Sequence, residues 1–122
     1  MDLSDAIKGI LHYREQIHKE HLWSDPIKLS EAMVKLSVYN SYLADNIAPL
    51  HKQATDKAYS VFMEASATEG VTKAETLSRG ESTAQRQEYE NVKNIYSSTA
   101  NLISVIQSRI RVLENQLKQE GV

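Results

Sequence analysis

Apolar residues recur along this chain at steps of three and four, in three separate runs. In the first run Leu3, Ile7, Ile10, Leu11 and Ile17 make one stripe. It predicts a helix over about 4–22, capped by Asp2 or Ser4. The stretch "WSDPIK" (23–28) ends that helix, and Pro26 suits the first turn of a second one behind Ser24 or Asp25. The second stripe is Leu29, Met33, Leu36, Asn40, Leu43, Ile47, Leu50, Ala54, Ala58, Val61 and Ala65. It predicts a helix over about 27–66. Pro49 lies inside it and removes a backbone hydrogen bond. Because the stripe keeps its phase across Pro49, a kink is expected there. The alternative is a full break that folds the chain into a compact four-helix bundle.

"ATEGVTKAE" (67–75) reads as a turn. Gly70 is expected to end the second helix in a left-handed conformation, and Thr72 with Glu75 to form a capping box for the third. The third helix is predicted over about 73–118, with Gly80 bending it early. Two heptad rows mark it: Tyr89, Tyr96, Ile103, Ile110 and Leu117, and Val92, Thr99, Ile106 and Leu113.

These elements predict an all-α, coiled-coil-like bundle in a single domain over 1–122. The second and third helices form a long antiparallel hairpin. The shorter first helix folds back on its open end, against residues near 27–47 and 98–118. That cover explains why "NLISVIQSRIRVLENQL" (101–117) carries so much apolar surface. Four glycines and two prolines in 122 residues are too few turn-formers for a sandwich or an α/β fold. Asn40 falls on a core position, where a buried amide fixes register, unless it sits exposed beside the Pro49 kink. Trp23 reads as a plug for the end of the bundle.

The other end of the hairpin has no third helix. A two-helix arm is marginal alone, and Tyr59, Phe62 and Met63 cluster near its tip. A homo-oligomer, dimer or higher, or a second protein is therefore expected there. The expected interface is Leu50, Tyr59, Val61, Phe62, Leu77, Tyr89 and Val92. On this reading Val61→Asp or Phe62→Asp abolishes assembly and leaves helicity intact.

Composition narrows the chemistry. No cysteine is present, so disulfides, thiolate metal sites and cysteine nucleophiles are excluded. The net charge of −2, from 14 basic and 16 acidic residues, marks neither a basic nucleic-acid binder nor an acidic mimic. No apolar run reaches the roughly 18 residues of a membrane span, and Asp2 and Asp5 are unlike a signal peptide. No phosphate loop or nucleophile elbow occurs, so neither a cofactor nor an enzymatic activity is expected. "EQIHKEH" (15–21) places Glu15 three residues before His18, with His21 one turn further on. A surface metal held by Glu15, His18 and His21 is one reading. No second Glu-x-x-His follows, and histidines near a helix end are ordinarily solvated. Arg79, Arg86 and Lys93 punctuate the third helix and are the candidate contacts for direct nucleic-acid binding. The glutamates between them favour a solvated mixed-charge face instead.

The segments "YLADNIAPLHKQATDKAYSVFMEASATEGVTKAET" and "QEYENVKNIYSSTANLISVIQSRIRVLENQ" resemble small all-helical proteins of bacteriophages and prophages. Those proteins have a long helix, a Glu-Gly-x-Thr/Ser turn, and a second long helix with a closing Ser-Arg-Leu/Ile-x-Val-Leu-Glu pattern. Ile103, Ser108, Arg109, Ile110, Val112, Leu113 and Glu114 match it here. The likeness covers about residues 27–117 and departs at Pro49 and Gly80. It implies no assigned activity and a coding position near recombination and replication genes. The expected function is thus a non-enzymatic accessory protein in the cytoplasm of a bacterial host cell. It would self-associate and bind a host or phage protein of DNA recombination, replication or anti-defence.

Overall fold

The computed structural model describes residues 1–121, and Glu20 by its backbone only. It is all-α: five helices hold 92% of the chain, with no strand among the described residues. They are α1 (Leu3–Ile17), α2 (Glu20–Trp23), α3 (Pro26–Glu69), α4 (Val71–Glu81) and α5 (Thr83–Glu120). The chain divides into two compact units, Met1–Leu43 with Ile95–Val122, and Ala44–Asn94.

Local chemistry sets most of the helix ends. Asp2 caps α1 in a reciprocal box: the Asp5 N–H donates to Asp2 Oδ1 at 2.8 Å, and the Asp2 N–H donates back to Asp5 Oδ2 at 3.4 Å. Asp25 Oδ1 accepts from the N–H groups of Ile27 and Lys28, with Pro26 at the first helical position of α3. The helix then runs unbroken through Pro49, which is exposed. A proline facing solvent leaves the carbonyl four residues back open to water and loads the ring clash on the unpacked side. The full break at Pro49 is thereby excluded.

Two boundaries differ from the sequence expectation. The first helix stops at Ile17, because Lys19 is extended (φ −78°, ψ 130°), and a single turn, α2, follows. The third helix is divided at Ser82, not at Gly80. Ser82 Oγ donates to the Ser78 carbonyl at 2.7 Å and Thr83 Oγ1 to that of Arg79 at 2.9 Å. The Ser78 carbonyl also accepts from the Ser82 N–H at 3.2 Å, and hydroxyls that share backbone acceptors in this way bend a helix. Gly80 itself lies inside α4.

Gly70 closes α3 with φ 87° and ψ 165°. The sign of φ is as expected. The pair falls in a region essentially reserved for glycine, however, beyond the left-handed helical well. Gly70 also occupies the N-cap of α4, and no side chain caps that helix; the box expected from Thr72 and Glu75 does not form. Two alanine substitutions should therefore have opposite signs. Gly70→Ala is expected to cost about 1–3 kcal/mol in backbone strain. Gly80→Ala, in an exposed helix with nothing within 4 Å of an added Cβ, should gain up to about 1 kcal/mol. Thermal melts of the two variants beside wild type check this; a shift of both in one direction would contradict it.

In the first unit α1 touches both α3 and α5, as expected. The half-buried Arg14 donates to Ser98 Oγ and, at 3.0 Å, to Thr99 Oγ1. Gly9 passes so close to Tyr39 that an added Cβ would stand 2.4 Å from its ring. Leu29, Leu36, Leu43, Ile10 and Ile106 are sealed from solvent. The two rows of the third helix part company. Val92, Thr99, Ile106 and Leu113 are all buried, whereas Tyr89, Tyr96 and Ile103 are half-buried and Leu117 is exposed. Asn40 is buried, which rules out an exposed place beside Pro49. Its Nδ2 donates to the Tyr96 carbonyl at 3.3 Å. That bond ties α3 to α5 at one register.

The second unit has a thinner core: Leu50, Val61 and Val92 among Ala54, Ala65, Ala74, Ser78 and Ser82. Ser78 Oγ donates to the Ala58 carbonyl at 2.6 Å, and the His51 ring meets Tyr89 at 4.8 Å. Going back along α3 from Ala58 to His51, the partner advances from Ser78 to Tyr89, so the packing is antiparallel.

Candidate functional site

The residues expected at an interface fall into two groups. Leu50, Val61 and Val92 are buried within the second unit itself. No second chain can reach them without opening it, so their place in the interface is corrected. The physical reason is that a hydrophobic stripe marks the face a helix buries, not what covers it; α4 and the start of α5 already do so. Leu77 is half-buried over the same core and shares a shallow groove with Val61 and Ala65, rimmed by Glu64, Glu69 and Glu81. Tyr89 is half-buried against His51.

Tyr59, Phe62 and Met63 remain. Their spacing (i, i+3, i+4) puts them on one side of α3. Tyr59 is 66% exposed and Met63 50%, with Phe62 half-buried beside them. Tyr59 and Met63 point away from the buried line of Ala54, Val61 and Ala65. The neighbouring Lys52–Asp56 pair, at 2.9 Å, is fully surface-placed and contributes little stability. An aromatic ring, a thioether and a phenyl edge held open on a rigid helix make a face suited to protein contact.

The candidate nucleic-acid residues lie nearby in the same unit. Arg79, Arg86 and Lys93 are all exposed. Arg86 is partly engaged: its Nη2 donates to the Arg79 carbonyl at 2.6 Å and to Thr83 Oγ1 at 3.4 Å. Lys93 Nζ stands 5.7 Å from the centroid of the Tyr89 ring. Between α3 and α5 runs a groove of about 380 Å³ lined by His51, Ala54, Thr55, Ala58, Arg86, Tyr89 and Glu90. The structure thus joins Arg86 and Lys93 to Tyr89, a member of a heptad row and of the expected interface, and to His51 beside it. The helical spacing of 86, 89, 90 and 93 was a readable signal; the opposing His51 was not.

The metal reading loses its geometry. His18 stands in the break after α1 and His21 in α2, so the two are not a turn apart on one helix. Glu15, His18 and His21 are all exposed. Among the described residues no group of three or more His, Cys, Asp or Glu could hold an ion.

Trp23 packs against α5. It is half-buried, its carbonyl accepts from Arg109 Nε at 3.0 Å, and the Arg109 guanidinium lies 5.5 Å over the ring. The extended residue 19 redirects the chain so that Trp23 meets α5. Ile17, Trp23, Leu102 and Val105 then line an apolar groove of about 630 Å³. No helix is long and apolar enough to cross a membrane among the described residues.

No family model, curated protein or solved structure matches this chain.

Proposed function

We propose that this chain is a non-enzymatic interaction protein of the bacteriophage accessory kind. It self-associates and engages a host or phage protein that works in DNA recombination, replication or anti-defence, in the cytoplasm of a bacterial host cell. The observation that carries this reading is the open Tyr59–Phe62–Met63 face of α3. Large apolar side chains grouped on one helical face and left to water are a feature of protein-contact surfaces. The phage assignment rests on the pattern of the two long helices and on Arg109 to Glu114 within it.

The same face explains how partner binding and folding are separated. Val61 serves the core and Tyr59, two residues away, serves the surface. A substitution at Tyr59 is therefore expected to remove binding without unfolding. The test is affinity capture from nuclease-treated bacterial lysate, with wild type and Tyr59→Asp as paired baits. Wild type should retain a DNA-processing or defence protein, and Tyr59→Asp should lose it by tenfold or more, on the scale of a central aromatic contact of about 2 kcal/mol. Capture that Tyr59→Asp leaves unchanged would reject this face.

A further inference from the structure

We infer that the groove between α3 and α5 in the second unit binds a nucleoside phosphate, free or within a single strand of nucleic acid. Two helical faces meet there in register. Positions 51, 54, 55 and 58 of α3 and positions 86, 89, 90 and 93 of α5 each follow the i, i+3, i+4, i+7 spacing. They are unequal in bulk. The α3 side is floored by Ala54 and Ala58 between His51 and Thr55, while the α5 side is Arg86, Tyr89 and Glu90, with Lys93 next to the Tyr89 ring outside the lining. Small residues opposite large ones leave a trough of about 380 Å³, within the ordinary range of ligand pockets.

The groups around the trough match the parts of a nucleotide. The Tyr89 ring, set against His51 at 4.8 Å and 57°, offers an aromatic wall for a base. Arg86 uses one Nη on the Arg79 carbonyl and Thr83 Oγ1; its remaining N–H donors are left for a phosphate. Lys93 Nζ, 5.7 Å from the Tyr89 centroid, is a second cation within reach of the same wall. Glu90 accepts, so it opposes a bare anion and suits ribose hydroxyls or an exocyclic amine. A simple anion would use the two cations and be repelled by Glu90. A nucleotide uses all four groups. The site lies on the inner side of α3 and is independent of the Tyr59 face.

The test is fluorescence anisotropy at low salt with a short fluorescein-labelled oligothymidine strand, and with unlabelled uridine monophosphate as competitor. Wild type should bind the strand, and binding should weaken as salt rises. Arg86→Gln and Tyr89→Ala should each weaken it about tenfold, while Tyr89→Phe, which keeps the stacking face, should not. Displacement by the mononucleotide identifies a free nucleotide as the ligand, and failure to displace identifies the strand; either supports the site. Absence of binding at low salt overturns the inference, as does binding that Arg86→Gln and Tyr89→Ala leave unchanged. Arg86 is exposed, so its variant decides the matter even where Tyr89→Ala melts early.

Discussion

Val61→Asp is expected to unfold residues 44–94 rather than to disperse an assembly. Val61 is 8% exposed and sits on the inner line of α3, over Ala65 and Leu77. An aspartate there removes an apolar side chain and puts an unpaired carboxylate in its place. No cation in the groove can answer it: the rim is Glu64, Glu69 and Glu81, and Lys73 is already 3.7 Å from Glu69. Burial of a charge without a partner is among the most destabilising single changes, on the order of 4 kcal/mol or more. The unit has little reserve, because alanine and serine fill most of its core. Amide hydrogen exchange should therefore show protection lost across 44–94, together with a lowered melting temperature. Wild-type protection in Val61→Asp would contradict the packing described here.

Ile106→Ala should cost about 2–5 kcal/mol, the range for emptying a fully enclosed aliphatic site. Ile106 is completely buried, midway along the α5 row that runs Val92, Thr99, Ile106 and Leu113. Arg14 fixes α1 to Thr99, and Asn40 fixes α3 to Tyr96. Val105→Ala, one residue earlier but 52% exposed, should change stability by no more than about 0.5 kcal/mol. Chemical denaturation of the two variants checks the pair; equal losses would mean that the buried row has been misassigned.

The contrast between Ile106 and Val105 shows what hydrophobic spacing conveys. The heptad row through Ile106 was readable because burial on a helix is periodic, and every member of it is inside. In the second row only Ile110 is buried; Tyr89, Tyr96 and Ile103 are half-buried, and Leu117, near the end of α5, is exposed. Helix termini set by neighbours in sequence, such as the Asp2 and Asp25 caps, were equally legible. Those set by distant contacts were not. The apolar spacing near Ile17 signals no stop, and the contact made after it, Trp23 with Arg109, joins residues 86 apart in the chain. The division at Ser82 was hidden for another reason. Gly80 has the weaker helix propensity, yet it is the hydroxyls of Ser82 and Thr83 that bond back to the carbonyls of Ser78 and Arg79.

The candidate site was legible in part for the same reasons. Tyr59, Phe62 and Met63 stood out by their chemistry, and the structure leaves them open. Val61 belonged at once to the core stripe and to the expected interface, and only the position of α4 separates those roles. The closeness of His51 to Tyr89 depends on the register of two helices, which no local pattern encodes.

Sedimentation velocity of wild type and Tyr59→Asp over a range of concentrations tests the central claim most directly. A wild-type oligomer is expected, which Tyr59→Asp converts to monomer with helicity and melting temperature preserved. A wild type that sediments as a monomer at every concentration would contradict self-association, and a Tyr59→Asp oligomer equal to wild type would remove this face from it.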